Sequence, residues 1–236
     1  MANSYFQFKK FTINQEKCGM PVNTDSVLLG AWANVDNCNK ILDIGTGTGI
    51  LSLMMAQRCN ATIDAVEIDE ASYLQALTNF EQSDWGDRIN AYFCSIQEFA
   101  ASTSSKYELL ICNPPYFANA VKSTNHQKKT ARHTDTLSFE NLISATMHLL
   151  EDKGRLSLIL PYSEGCIFIA LAAKEGLFCV RKTNVKSVTH APITRLLLEF
   201  ATLPQQVAED YLVIADEQNN YSDKFRHLTV DFYKFF

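Results

Sequence analysis

A doubly wound α/β fold with a mostly parallel, seven-stranded sheet is predicted by three observations. From Lys40 onward, short and continuous apolar runs alternate with amphipathic stretches of helical length. Runs that are apolar at nearly every position suit strands covered on both faces. The first run leads straight into glycines, in Asp43-Ile44-Gly45-Thr46-Gly47-Thr48-Gly49, and the second ends on an acidic residue, Glu67. Such an alternation implies right-handed crossovers, with ligands bound outside the carboxyl ends of the strands.

The elements follow in order. The 39 residues ahead of Lys40 have no Pro/Gly-rich break and contain a helix over Asp25–Ala33. They are read as an N-terminal extension (1–39) integral with the main domain (40–236). Strands are expected at Lys40–Ile44, Thr62–Glu67, Ile89–Cys94 and Tyr107–Cys112. Helices are expected at Ile50–Arg58 and Glu70–Phe80, the second opened by acidic Asp69 and Glu70 where they favour a helix start. Ser138–Leu150 places Leu142, Ala145 and Leu149 on one helical stripe, and Leu156–Leu160 is the next strand. A helix at Glu164–Lys174 precedes strands Leu177–Asn184 and Arg195–Ala201. Asp210–Ile214 is a candidate further strand, and Tyr221–Tyr233 a closing helix.

Composition narrows the class. With 236 residues, 47% apolar and 20% charged, the chain is an ordinary globular domain and not a disordered one. Its longest apolar stretches, Ile50–Ala56 and Cys166–Ala173, are far short of a membrane span. The start, MANSYFQFKK, lacks the apolar core of a signal peptide. The seven cysteines are odd in number and form no Cys-x-x-Cys pair. They are expected to be buried thiols of a reducing, cytoplasmic compartment, with no metal site. A net charge of −5 counts against a protein that coats nucleic acid, though not against one that grips it through a local patch.

The glycine turn carries chemistry. Gly45, Gly47 and Gly49, with Thr46 between them, allow a tight turn and close approach of a ligand to the backbone. Glu67, 18 residues past Gly49, ends the adjacent strand, where its carboxylate can accept hydrogen bonds from both hydroxyls of a ribose. The loop is Gly-x-Gly-x-Gly and begins with Asp43, whereas a dinucleotide fingerprint is Gly-x-Gly-x-x-Gly. An acidic pocket of this kind suits a cation better than a pyrophosphate.

On the same rim, Asn113-Pro114-Pro115-Tyr116 follows the fourth strand. Two prolines remove two donors and stiffen the chain, leaving acceptors: the Asn113 side-chain oxygen and the Pro114 carbonyl. Tyr116 adds a flat aromatic face. The complement is an amino group on a planar base, or a carboxamide, which donates to the ledge while it stacks on the ring. The amino nitrogen of adenine is a poor nucleophile because its lone pair is delocalised. Two acceptors draw that nitrogen towards a tetrahedral geometry and aim the lone pair at a methyl donor, so catalysis is positioning and electrostatics. Asn-Pro-Pro is also a plain turn signal, and the glycine turn upstream is what tips the reading towards chemistry.

Asp43–Gly49 together with Asn113–Tyr116 resembles the class I S-adenosylmethionine (AdoMet) methyltransferases that modify amino nitrogens, which have a Rossmann-like fold. Phe6–Phe11, Thr24–Trp32, Ala131-Arg132-His133-Thr134-Asp135 and Leu228–Tyr233 resemble one branch, the bacterial tRNA (adenine-N6)-methyltransferases that act at position 37, beside the anticodon of a valine tRNA. The resemblance implies AdoMet as cofactor, with Asp43 near its methionine amino group and Glu67 and Ile68 at its ribose and adenine end. It implies that Thr24 and Asp25 close over the cofactor, the N-terminal extension serving as a lid. Ser95 stands where the branch often has an aspartate that meets the adenine. Another departure is Met20-Pro21-Val22-Asn23, where the branch usually has Met-Lys-Val-Gly.

The 21 residues between Tyr116 and Ser138 have little apolar periodicity and carry Lys122, Lys128, Lys129 and Arg132, with His126 and His133 and no acid before Asp135. A long loop beside a site is more often functional than structural. Lys122, Lys128, Lys129, Arg132 and His133 are the candidate tRNA contacts, holding phosphates either side of a splayed base. The alternatives are a solvated loop, or Arg132 and His133 as braces. Three rival functions stand beside tRNA methylation: glutamine-N5 methylation of release factors, DNA adenine methylation, and a non-catalytic AdoMet- or RNA-binding module. The first usually needs a separate helical N-terminal domain, and the second a target-recognition domain. A monomer is expected, with the oligomeric state open.

Overall fold

The computed structural model describes residues 3–114 and 137–236. Two short antiparallel strands open it, β1 (Tyr5–Gln7) and β2 (Thr12–Asn14), followed by helix α1 (Thr24–Trp32). The main sheet then begins with β3 (Lys40–Ile44), α2 (Ile50–Arg58), β4 (Thr62–Glu67), α3 (Glu70–Glu81), β5 (Ile89–Phe93), α4 (Ile96–Ser102) and β6 (Tyr107–Cys112). It continues with α5 (Phe139–Leu149), β7 (Leu150–Pro161), α6 (Tyr162–Lys174), β8 (Phe178–Val188), β9 (Ile193–Ala201), β10 (Ala208–Ala215) and α7 (Asp223–Thr229).

Among the described residues the sheet has eight strands rather than seven, in the order β10-β8-β9-β7-β6-β3-β4-β5. The eighth, β10, is the candidate strand near Asp210, and it pairs parallel to β8 along the edge. Every pairing is parallel except the two made by β9, which runs against β7 and β8. Strand order reverses at β3, so the carboxyl ends of β3, β4 and β6 flank the crevice where open α/β sheets bind ligands.

The alternation of side chains along each strand divides the interior into two cores. Leu109 and Ile111 of β6 join Ile41 in the core packed with α1 and α2, while Leu110 and Cys112 join Leu42 in the core packed with α5 and α6. Both faces are covered, which is why the strands read as continuous apolar runs. The N-terminal extension belongs to the first of these cores through Phe8, Phe11 and Ile13. Phe8 and Phe11 stack at 4.6 Å, and Lys9 donates its backbone N–H to the Phe232 carbonyl at 2.8 Å, stitching the two ends of the chain together.

Some expectations need correction. The thiols are not all buried: Cys38 and Cys112 are, Cys166 is exposed, and the other four are half-buried. The closing helix spans only Asp223–Thr229. Helix α4 and the β1–β2 ribbon were not expected. Among the described residues, no helix is long and apolar enough to cross a membrane.

Candidate active site

A cavity of about 530 Å³ opens at the switch point. Its floor is the glycine turn, from Ile44 to Thr48, and one wall is Glu67, Ile68 and Asp69 at the end of β4. Cys112, Asn113 and Pro114, at the end of β6, form the opposite wall. Lys17–Pro21 of the N-terminal extension close a third side, and Ser26 of α1 lies beside Asn113.

The glycines are needed for conformation. Gly47 has φ 57° and Gly45 φ 70°, left-handed values at which an L side chain is strained. Most of the loop's donors are already committed. Gly45 and Thr46 donate their N–H groups to the Val66 carbonyl at 2.9 and 3.1 Å, Gly47 donates to Glu67 Oε2 at 2.8 Å, and Gly49 donates to the Thr46 carbonyl at 2.8 Å. A phosphate cradle needs such groups pointing at the ligand. This loop instead presents acceptors, and so favours a cation bearing hydroxyls over a pyrophosphate.

Asp43 shows how the turn is held. It is fully buried, and its Oδ2 accepts from Thr46 Oγ1 at 2.6 Å, Ser52 Oγ at 2.7 Å and the Ser52 N–H at 3.1 Å. Its Oδ1 has no partner among the described residues. Burial raises its carboxyl pKa to about 6, the hydrogen bonds from Thr46 and Ser52 oppose the rise, and Glu67 adds to it. A nearby cation would relieve this carboxylate. Glu67 has a different exposure and role: Oε1 accepts from the N–H groups of Ile68 and Asp69, both at 2.9 Å, which fixes the carboxylate at the cavity wall. Each carboxylate oxygen has about two acceptor positions, so Oε2, used once by Gly47, keeps capacity for a ligand hydroxyl. Ile68 stands beside it, 47% exposed, as an apolar surface for a flat ring.

Asn113 is held from the other side. Its Nδ2 donates to Ser26 Oγ at 2.8 Å, and its buried Oδ1 has no partner among the described residues. A buried acceptor without a donor is costly unless a ligand supplies one. Ser26 carries no signal of this role in the sequence, since no spacing rule links positions 87 residues apart. Lys17–Pro21 are the part of the N-terminal extension that reaches the cavity, as a lid would. Asn79 fastens that segment's approach: it accepts from the Asn14 N–H at 2.9 Å and donates to the carbonyls of Asn14 at 2.9 Å and Thr48 at 2.8 Å, joining extension, α3 and glycine turn. Cys18 and Cys112 line the cavity, but burial raises both thiols, so neither is an activated nucleophile.

The other expected residues lie elsewhere. Thr24 and Asp25 line a neighbouring cavity, where Asp25 Oδ2 accepts from Arg195 Nε at 2.8 Å. Ser95 does not line the glycine-turn cavity. Its hydroxyl and N–H both bind Glu98 in a capping box that starts α4. Asn23, where the branch usually has glycine, caps α1 by accepting from the Ser26 N–H at 2.9 Å. Pro115, Tyr116, Lys122, His126, Lys128, Lys129, Arg132 and His133 lie outside the described residues.

A switch-point cavity of this construction, on a sheet of this order, is that of a class I methyltransferase. The sequence matches the family described as methyltransferase small domain over residues 22–166. A tRNA1(Val) (adenine(37)-N6)-methyltransferase of Parabacteroides distasonis is 42% identical across 99% of both chains. One of Pseudoalteromonas translucida is 45% identical across 98% of both. The chain belongs to the tRNA1(Val) (adenine(37)-N6)-methyltransferase family. The fold is shared more widely: a crystal structure of a predicted O-methyltransferase from Agrobacterium tumefaciens matches with a TM-score of 0.68 at 19% identity, over 88% of this chain and 96% of that one.

Proposed function

We propose that the protein is an AdoMet-dependent methyltransferase of the exocyclic amino nitrogen of adenine in tRNA, at position 37 of tRNA1(Val), acting in the cytoplasm. The observation that carries the reading is the buried Oδ1 of Asn113, without a partner among the described residues, on the wall of the glycine-turn cavity. An acceptor there matches a substrate that brings an N–H donor. The residues present fit AdoMet: Glu67 has acceptor capacity for the ribose, the loop's committed donors disfavour phosphates, and Asp43, buried beneath the turn and not lining the cavity, contributes its negative charge from behind it. Bound there, AdoMet supplies an electrophilic methyl group on a sulfonium.

The chain's part is positioning. Asn113 Oδ1 and the Pro114 carbonyl would accept from the amino group and direct its lone pair towards the methyl group that AdoMet would supply. The amino proton then leaves to solvent. Lys17–Pro21 act as a lid over the cofactor, held by the Lys17 N–H donating to Gln75 Oε1 and, through Asn14 upstream, by Asn79. Pro115 and Tyr116 continue the ledge in sequence, and Lys122, Lys128, Lys129, Arg132 and His133 are proposed to meet RNA phosphates. Glutamine methylation would use the same acceptor, and the full-length likeness to tRNA methyltransferases favours RNA.

Incubation with tritiated AdoMet and separate pools of tRNA, DNA and protein from a strain lacking the protein tests this. Label is expected in tRNA, released as N6-methyladenosine on digestion. Label confined to protein would overturn the RNA reading and install the glutamine one.

A further inference from the structure

A second cavity, of about 480 Å³, opens on the same rim of the sheet. Thr24 and Asp25 line it, while the next residue, Ser26, lines the first cavity and binds Asn113. The first turn of α1 therefore lies between the two. Facing α1 are Thr194 and Arg195 from the start of β9, with Tyr221, Phe225 and Tyr233 from the C-terminal segment.

Its wall combines flat rings with one anchored cation. Tyr221 and Phe225 stack at 5.0 Å with planes 19° apart, and Phe225 and Tyr233 lie at 6.3 Å and 31°. Phe225 and Tyr233 are buried, and Tyr221, which also stacks on Phe235 at 5.8 Å, is 39% exposed, so Tyr221 is the ring with surface left for a further flat ring. Arg195 Nε donates to Asp25 and its Nη1 to the Thr194 carbonyl at 3.0 Å, which fixes the guanidinium while 30% of the side chain stays exposed. The Thr24 hydroxyl adds a polar atom, while that of Thr194 donates to the Val185 carbonyl at 3.4 Å. Stacking faces together with a fixed cation are how single-stranded nucleic acid is held: bases on the rings, phosphate on the cation. The volume lies within the range of small-ligand sites, about 300–1,000 Å³.

We propose that this cavity is a subsite for an unpaired nucleotide of the same RNA, the one flanking the adenosine delivered to Asn113. This rests on the reading of the protein as an RNA methyltransferase. Consecutive residues of one helical turn line the two cavities, so a splayed strand can place neighbouring bases in them, and occupation of the second sets the register of the target in the first. Tyr221 is a specificity residue in this arrangement, and Arg195 holds the backbone.

The test uses the full-length protein and a synthetic anticodon stem-loop carrying 2-aminopurine beside the target adenosine. Tyr221→Ala is expected to raise KM for the stem-loop roughly tenfold, the loss of one stacked base, and to weaken 2-aminopurine quenching. Affinity for AdoMet stays put, and Tyr221→Phe, which keeps the ring, behaves as wild type. Arg195→Gln probes the opposite wall independently and should lower the slope of log affinity against log salt by about 0.7 to 1. Wild-type methylation of the stem-loop with unmoved KM, quenching and salt slope in the folded variants would overturn the subsite alone. No methylation of the stem-loop by wild type, with label in protein instead, would overturn both it and the RNA reading.

Discussion

The two cavities on the rim share a wall yet are built by opposite means. In the first, polar groups are held by a network that runs into the main chain: Glu67 accepts three backbone N–H groups, and Asp43 accepts the Ser52 N–H together with the Thr46 and Ser52 hydroxyls. In the second, the wall is side chains on side chains, rings stacked at the C-terminus and an ion pair between Asp25 and Arg195. The difference follows from what each must do. Chemistry needs groups fixed within fractions of an ångström before the reactants arrive. Recognition of a base is spread over faces that tolerate small shifts. Substitutions in the first cavity should therefore act steeply and on rate or cofactor, and those in the second gradually and on RNA affinity.

The steepest test removes the acceptor itself. Asn113→Ala is expected to cost roughly 10²–10³-fold in kcat, the range seen when one preorganised hydrogen-bonding group is deleted from a site. AdoMet affinity, read by calorimetry, should change less than about threefold. A parallel collapse of AdoMet binding would assign Asn113 to the cofactor and dissolve the division of labour between β4 and β6.

A smaller effect comes from proton linkage at Asp43. Because burial raises its carboxyl to about 6, the folded protein takes up this proton more readily than the unfolded chain. Its stabilising contribution is thus full below about pH 4 and lost as pH rises through about 6. A cation bound above it favours the carboxylate, which reverses the sign for ligand affinity. AdoMet should bind about five- to tenfold more tightly at about pH 7 than at about pH 5, and Asp43→Asn should flatten that dependence. Affinity that is level across this window in the wild type would leave Asp43 as an anchor of the turn with no part in holding the cofactor. In the second cavity, burial pushes the Tyr233 phenol further above this pH window, so RNA affinity at fixed salt should not follow this curve.

Which parts were legible in the sequence follows the same division. The glycine turn, Glu67 and Asn113-Pro114 could be read because backbone geometry and local chemistry restrict residue type at each position: φ values of 57–83° at Gly47, Gly45 and Gly49 demand glycine. The alternation of β3 to β6 was legible because burial on both faces leaves an unbroken apolar run. Helix α4 escaped although Ser95-x-x-Glu98 is a capping-box signature, since a serine beside a predicted site was read as a ligand contact. Asn79 and Ser26 escaped for a different reason. Their partners are 65 and 87 residues away, and tertiary hydrogen bonds leave no local period. Thr24 and Asp25 were drawn to the cofactor by resemblance, whereas α1 points them into the neighbouring cavity.

Ser26 sits on the shared wall, and it decides how separate the two cavities are. Its hydroxyl receives Asn113 Nδ2, so the amide carbonyl is the atom offered to the first cavity. Were the amide reversed, an NH₂ group would confront the amino donor of the substrate, and neither lone-pair alignment nor binding would survive. Ser26→Ala removes that partner while leaving the backbone N–H that Asn23 caps. The expected outcome is a fall in kcat of about five- to tenfold, the worth of roughly one hydrogen bond, with KM for AdoMet unchanged. Ser26→Thr, which keeps the hydroxyl, should recover most of the rate. If Ser26→Ala instead raises KM for RNA and Thr fails to restore it, the first turn of α1 serves the second cavity, and the wall between them is part of RNA recognition and not of the acceptor ledge.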